Sequence, residues 1–477
     1  MSFVDYQFLV FFPLVTLVFF RLAPSRRWLW LLAASSYFYM CFVPIYILIL
    51  ALTIGVDYAA GLAIERTRGR ARKTALGFSL AANIGVLAFF KYYGFLAGNW
   101  AAVAVRMGWP ALPAVDVMLP IGLSFHTFQS LAYTLEVYRG RHPAERHLGR
   151  LATYVMFYPQ LVAGPIERPQ NLLNQLNQTQ VWNEERATDG LRLMLWGFVK
   201  KVCVADRLAD YVNTVYSDPA QHGGPQVILA TYAFAFQIYC DFSGYTDIAR
   251  GAARVMGFEL MLNFRRPYFA QSIAEFWKRW HISLSTWFRD YLYIPLGGNR
   301  VRRAQWYFNL MAVFLISGLW HGANWTYLIW GGLHGIYLIV GIVSEPLRRR
   351  LWQALGVSPG AAGTRLARRL FVFHLVCVSW VFFRAASWDQ ALLVFRRMAD
   401  FSRLALLLPG GSALETGITF AAVASLVSIE ACWERWPVKR LFLALPAGIR
   451  WAAYIAAALA IMNFGITREV PFIYFQF

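Results

Sequence analysis

The feature that most constrains the fold is a long apolar segment that returns about every 30–40 residues along the whole chain, long enough to supply membrane-crossing helices of about 20 residues. The 477 residues are 58% hydrophobic and only 15% charged, whereas a soluble domain carries about 25% charged residues. An apolar excess of this size needs lipid to cover it. The pattern predicts an all-α, polytopic membrane protein that forms a single domain over residues 1–477.

The net charge of +20 allows two interpretations, a nucleic-acid or anionic partner, or basic loops that orient the protein in a membrane. The basic residues stand in short runs between apolar segments, at 21–27, 66–73 and 348–350. Orientation signals occupy such positions, on the cytoplasmic side. We therefore expect membrane lipid to surround the protein and expect no nucleic-acid partner.

The basic runs also predict the topology. Loops 21–27 and 66–73 in the cytoplasm place the N-terminus outside, and the positive charges that follow the apolar run 8–20 favour an uncleaved first span. About eleven or twelve spans are expected apart from the run 306–343, and 99–120 is predicted to be an outer or re-entrant loop. The other predicted spans are 28–43, 45–64, 75–98, 121–138, 151–164, 190–213, 226–250, 370–384, 415–433 and 450–466.

Residues 272–291 carry too many charges for a lipid-facing span. Aromatic and apolar residues recur there at spacings of three and four, beside a polar stripe that contains Lys278, His281, Ser285 and Arg289. This periodicity predicts one helix that lies in the membrane interface or dips partway into the protein.

Residues 306–343 are almost uncharged and too long for one span, with basic residues on both sides. We predict that they form a hairpin that bends at 317–324, where two glycines, a serine and an asparagine tolerate a broken helix. Broken backbone at membrane depth persists only where it is buried in protein or lines a wet cavity. His321 lies at this bend.

His321 is the strongest candidate for chemistry. An imidazole inside an apolar run is costly unless it is paired or used, and histidine can take and return a proton near neutrality. The alternative is a packing histidine bonded to a carbonyl. His281 is evenly balanced between a catalytic and an interfacial role.

Other polar residues favour structural roles. Asp247 has Arg250 three residues on, a usual helical pair, whereas Asp241 has no local partner and either packs or orients a catalytic group. His126, Glu136, His334 and His374 are interpreted as satisfied polar groups. The five scattered cysteines give no metal signature, and no metal is expected.

The segments Glu275–Trp287 and Gly318–Ala323 resemble the two signatures of membrane-bound O-acyltransferases. Residues 119–129, 163–168, 241–245 and 471–477 also resemble blocks of the bacterial, polysaccharide-modifying branch, although His126 stands where that pattern favours an aromatic residue. The resemblance runs nearly end to end. It implies about eleven spans around a central tunnel, with short helices dipping in from the cytoplasmic side.

The resemblance also implies roles for residues. His321 matches the essential histidine and His281 the second signature histidine, while Asp241, Trp320, Asn324 and Ser285 are expected to line or support the tunnel. Lys278, Arg279 and Arg289 could hold the phosphates of a coenzyme A donor, or could be orientation charge.

The implied activity is acetyl transfer from a cytoplasmic thioester, most simply acetyl-CoA, with no permanently bound cofactor. The acetyl group would cross the bacterial inner membrane to an exported polysaccharide such as alginate, with the help of a periplasmic acetyltransferase partner. Two alternatives remain at this point, an acyl-group transporter or flippase, and a docking subunit without catalysis of its own.

Overall fold

A computed structural model describes residues 1–113, 115, 118–402, 413–465 and 471–475. All the regular secondary structure of these residues is helical. The chain divides into two compact units, Met1–Met194 with Tyr245–Met261, and Leu195–Gly244 with Leu262–Phe477. The predicted all-α fold is therefore confirmed.

Among the described residues, nine α-helices lie in the first unit up to residue 176, and a π-helical turn at Ala88–Tyr92 joins the fourth of them to the fifth. The helices are α1 (Tyr6–Arg21), α2 (Arg27–Met40), α3 (Ile47–Arg66), α4 (Gly69–Leu87), α5 (Tyr93–Met107), α6 (Leu123–Tyr138), α7 (Leu148–Met156), α8 (Tyr158–Leu161) and α9 (Leu172–Leu176).

Two helices contribute residues to both units, α10 (Glu184–Phe198) and α12 (Gly224–Val255). A π-helical segment, Val199–Ala205, joins α10 to α11. The helices of the second unit are α11 (Asp206–Ser217), α13 (Ile273–Arg279), α14 (Ile282–Phe288), α15 (Arg303–His321), α16 (Trp325–Val343), α17 (Glu345–Ala354), α18 (Ala362–Arg384), α19 (Trp388–Met398), α20 (Ala413–Arg435), α21 (Val438–Ala444) and α22 (Ala447–Phe464).

Seven helical segments within the described residues are long and apolar enough to cross a membrane, as expected of a multi-pass membrane protein. They are Pro44–Arg66, Gly69–Met107, Gly224–Val255, Trp325–Val343, Ala362–Arg384, Ala413–Arg435 and Ala447–Phe464. Each contains or overlaps a span that the sequence predicts.

Two predictions about segments are wrong. Residues 151–164 do not form a span: they fold as α7 and α8, which are short and buried, and the chain leaves the helix at Phe157, two residues before Pro159. The predicted outer loop 99–120 starts too early, because α5 continues to Met107 and ends at Gly108, whose positive φ of 67° suits glycine. Ala114, Asp116 and Val117 of that loop lie outside the described residues.

The predicted hairpin is confirmed. Helix α15 ends at His321 and α16 begins at Trp325. The two helices touch through glycines: a Cβ atom on Gly318 would lie 2.3 Å from the Tyr327 carbonyl oxygen, and one on Gly331 would lie 2.2 Å from that of Phe314. Only glycine permits so close an approach of two backbones, and this contact fixes the end of α15 that carries His321.

Candidate active site

The two candidate histidines lie together inside the second unit. The ring centroids of His281 and His321 are 6.4 Å apart, and only 0% and 3% of these residues is exposed. His281 stands at the start of α14 and His321 at the end of α15. The segments 272–291 and 306–343 therefore each contribute one side chain to a common site.

His281 is placed by a break in the helix that the sequence predicts to be continuous. Its φ of 43° is left-handed, which ends α13 and starts α14 in a new direction. The break is stabilised by Asn263, whose carbonyl oxygen accepts a hydrogen bond from the Ile282 N–H at 2.9 Å. The prediction of a single helix over 272–291 is wrong here, because both short helices keep the same three- and four-residue spacing and periodicity does not report the turn between them.

Asn263 also selects the tautomer of His281. Its side-chain oxygen lies 3.1 Å from Nδ1 of His281 and accepts hydrogen bonds from the N–H and hydroxyl of Ser283, at 3.2 and 3.0 Å. With the amide oriented this way, its oxygen can only accept, so Nδ1 carries the proton and Nε2 is the basic nitrogen of the ring. His281 is a buried, oriented histidine and not an interfacial one.

Aromatic rings enclose His321. Ring centroids of Trp320, Trp330 and Phe383 lie 4.8, 4.9 and 5.3 Å from its own. Tyr474 completes the wall at 5.8 Å and also lies 6.5 Å from His281. No pattern in the sequence marks Tyr474 by itself, and the signal for it is the family resemblance of the segment 471–477 that contains it.

Asp241 has partners that are distant in sequence. Its carboxylate lies 2.7 Å from the Lys201 ammonium and accepts a hydrogen bond of 2.7 Å from the Ile473 N–H. Asp247 pairs with Arg250 at 3.5 Å, as its spacing predicts.

Asn324 belongs to the turn of the hairpin. It caps α16 by accepting a hydrogen bond from the Thr326 N–H at 3.1 Å and donates one to the Ala386 carbonyl at 3.0 Å.

A cavity of about 1550 Å³ lies within the second unit, between residues of α13 to α18. Its lining is largely apolar, and its polar residues include Lys278, Ser285 and Arg289 together with Arg348 and Arg368. Arg279 is not part of the lining; it pairs with Glu275 at 2.8 Å and with Glu434 at 2.9 Å.

Two residues of the cavity lining are close in sequence to the histidines. Leu284 and Ser317 line the cavity, and they stand about one helical turn from His281 and His321 respectively. Neither histidine is itself among the lining residues. The site therefore combines two neighbouring imidazoles with a large cavity whose lining includes residues about one helical turn from each of them.

Comparison with known proteins shows the family to which the chain belongs. Residues 117–383, which contain both histidines and the cavity lining, match the sequence profile of MBOAT, the membrane-bound O-acyltransferase family. The chain is also 38% identical over 408 residues to the probable alginate O-acetylase of Azotobacter vinelandii, covering 84% of this chain and 78% of that one. The chain belongs to the membrane-bound O-acyltransferase family.

Two further relatives of this O-acyltransferase differ in their acceptors. The peptidoglycan O-acetyltransferase of Helicobacter pylori is 34% identical over 79% of this chain and 75% of its own length. The teichoic acid D-alanyltransferase of Bacillus subtilis is 26% identical over 65% of this chain and 80% of its own. The family and its named relatives make the protein an acyltransferase.

The remaining polar candidates of the O-acyltransferase have structural partners, with one exception. His334 accepts a hydrogen bond from Trp277 at 3.2 Å and contacts the Ser379 hydroxyl at 2.9 Å, His374 contacts the Leu370 carbonyl, and Glu136 pairs with nearby arginines. His126 departs from the expectation of a satisfied group: it is 1% exposed, and neither ring nitrogen has a hydrogen-bond partner among the described residues.

Proposed function

We propose that this acyltransferase takes an acetyl group from a cytoplasmic thioester, most simply acetyl-CoA, and delivers it across the bacterial inner membrane for O-acetylation of an exported polysaccharide such as alginate. The observation that carries the proposal is a largely apolar cavity with basic residues in its wall, whose lining residues Leu284 and Ser317 stand about one helical turn from the neighbouring His281 and His321. The alginate and peptidoglycan acetylases among its relatives support acetyl as the group and a polymer hydroxyl as the acceptor.

The cavity suits a long, anionic thioester. Its apolar walls accommodate a flexible thioester arm, and Lys278, Arg289, Arg348 and Arg368 provide cations for phosphate groups. Arg279 is a weaker candidate for this role than the sequence analysis suggests, because two carboxylates already neutralise it. Arg348 and Arg368, which the sequence pattern assigns to orientation charge and not to donor binding, take its place in the proposal.

The last turn between cavity and histidines has to open for the acyl group to pass. Leu284 and Ser317 line the cavity on α14 and α15, and we expect side-chain movement near them to extend it toward His321. The glycine contacts hold the backbone of the hairpin in place.

The reaction needs one group that exchanges a proton. His321 takes the proton from the acceptor hydroxyl as its oxygen attacks the thioester carbon, the C–O bond forms and the C–S bond breaks, and the proton passes to the thiolate that leaves. His281, fixed by Asn263 with Nε2 basic, lies beside it as a second proton-exchanging group. A periplasmic acetyltransferase then moves the acetyl group from the ester of this first acceptor to a polymer hydroxyl: the new C–O bond forms, the C–O bond to the first acceptor breaks, and the polymer hydroxyl's proton returns to the first acceptor's oxygen.

The test is a transfer assay with the purified protein in detergent, labelled acetyl-CoA and a soluble hydroxyl acceptor. We expect transfer by the unaltered protein and a loss of about 10²-fold or more in His321→Ala, since a positioned base contributes about 10²–10⁴-fold. His374→Ala is the matched control, because this histidine is exposed and bonds only within its own helix.

The same assay separates catalysis from transport. Detergent abolishes the sealed compartment that a transporter or flippase needs, so transfer there is enzymatic. A His321→Ala protein that elutes and melts like the unaltered one, yet transfers acetyl at an unchanged rate, would overturn the proposed role of His321.

A further inference from the structure

A buried cluster of charges connects three segments of the second unit that lie far apart in sequence. Lys201, in the π-helical segment Val199–Ala205, is 2.7 Å from Asp206 and 2.7 Å from Asp241 of α12. All three residues are less than 5% exposed. The third segment is the short turn Ile473–Phe475, whose first N–H donates to Asp241.

Asp241 uses its two oxygens for different purposes. Oδ1 faces the Lys201 ammonium and Oδ2 accepts the hydrogen bond from Ile473. The lysine therefore holds the carboxylate in one rotamer, and the carboxylate holds the backbone of the turn. A charge-assisted hydrogen bond of this kind is about twice as strong as a neutral one.

The turn held in this way carries Tyr474 to the histidine pair. Its ring lies 5.8 Å from His321 and 6.5 Å from His281, and it packs on Phe242 at 4.4 Å. Phe242 follows Asp241 in α12 and contacts His281 at 4.7 Å. In α12, the side chain of Asp241 thus holds the backbone of the turn, and the next side chain, Phe242, packs against both Tyr474 and His281.

We propose that Asp241, held by Lys201, is a positioning residue for acyl transfer: it fixes the turn Ile473–Phe475 so that Tyr474 closes the site beside His281 and His321. Asp241 does not touch the histidines and acts through Ile473. The expected change in kcat rests on the proposed function, whereas the expected change in hydrogen exchange of the turn does not.

Two variants test the connection from both of its ends. Asp241→Ala removes the acceptor and leaves Lys201 still paired with Asp206, so no buried charge is left alone. Ile473→Pro removes the N–H donor, together with a buried isoleucine side chain, and leaves the ion pair intact; proline is tolerated at the first position of a helical turn. Asp206→Asn is the matched control, because Asp206 shares Lys201 but does not bond to the turn.

The first readout is hydrogen exchange of the peptide that contains residues 471–475, measured by mass spectrometry on the full-length protein in detergent. We expect exchange about tenfold faster in Asp241→Ala, since one lost hydrogen bond of ordinary strength corresponds to roughly that factor. Asp206→Asn should leave the exchange of this peptide within about twofold of the unaltered protein.

The second readout is steady-state kinetics per folded molecule. We expect kcat to fall by about 10–100-fold in both Asp241→Ala and Ile473→Pro, with an unchanged KM for the thioester, because none of these residues lines the cavity. Asp241→Asn keeps an acceptor oxygen for Ile473 and should recover part of kcat.

Unchanged exchange and unchanged kcat in a folded Asp241→Ala protein would overturn the inference. If that variant fails to fold, Ile473→Pro decides alone, and normal kcat there would have the same consequence. Absence of any transfer by the unaltered protein would instead count against the proposed function, and the exchange measurement would still test the connection.

Discussion

At the residue scale, the tautomer of His281 depends on one amide oxygen, that of Asn263. Asn263→Leu removes the acceptor of the Nδ1 proton and of two Ser283 hydrogen bonds. The ring is then free to take the other tautomer, with Nδ1 as its basic nitrogen. We expect kcat/KM for transfer to fall by about 10²-fold, measured per folded molecule.

The control for this variant is a second buried asparagine in the same unit. Asn309 is 0% exposed and its amide donates to the carbonyls of Leu296 and Gly298, so Asn309→Leu removes comparable hydrogen bonds away from the histidines. Equal losses of activity in the two variants would show that only general destabilisation is involved.

Sequence reasoning identified the histidines but could not identify what holds them. His321 stands out because an imidazole in an apolar run is costly. The partner of His281 is 18 residues earlier in the chain, and Lys201 and Ile473 are separated from Asp241 by 40 and 232 residues. No local spacing rule connects such residues, so the sequence shows no local partner for Asp241.

At the scale of helices, the hairpin α15–α16 depends on the closeness of its two backbones. Gly331→Ala would place a Cβ atom 2.2 Å from the Phe314 carbonyl oxygen, so the helices have to separate. We expect a loss of stability of about 1–3 kcal/mol, seen as a lower midpoint of thermal unfolding in detergent, together with reduced transfer because α15 ends in His321.

Gly341→Ala provides the comparison within the same helix. Nothing lies within 4 Å of a Cβ atom at that position, and alanine is favoured over glycine in a helix by roughly 0.5–1 kcal/mol. The midpoint should therefore stay the same or rise. A Gly331→Ala midpoint as high as that of Gly341→Ala would contradict the close packing of the hairpin.

The two signature regions show what periodicity can and cannot predict. The bend at 317–324 could be predicted because a run of 38 almost uncharged residues between basic flanks exceeds one span and contains a cluster of helix-breaking residues. The break at His281 could not, since no glycine or proline marks it and a tertiary hydrogen bond from Ile282 to Asn263 decides it. The predicted span over residues 151–164 is wrong for a related reason, since a segment buried in the protein core is as apolar as a membrane span.

At the scale of the whole molecule, the distribution of basic residues predicts which ends of the helices face the cytoplasm. The helical path Gly69–Met107 has 39 residues, a length of about 58 Å, against a hydrocarbon core of about 30 Å. The path is therefore longer than the hydrocarbon core, and residues near its two ends are suited to report the orientation. Arg70 and Trp109 are both exposed, as is Arg350 after α16.

Cysteine labelling in intact cells can measure that orientation, in a background where the exposed Cys41 is replaced by serine. Since positive loops stay in the cytoplasm, we expect a membrane-impermeant maleimide to label Trp109→Cys in intact cells, and to label Arg70→Cys and Arg350→Cys only after permeabilisation. The result for Arg350→Cys also bears on the donor, because Arg348 lines the cavity and lies two residues away. Labelling of Arg350→Cys from outside would place the basic part of the cavity away from cytoplasmic thioesters, and acetyl-CoA would then be excluded as the donor.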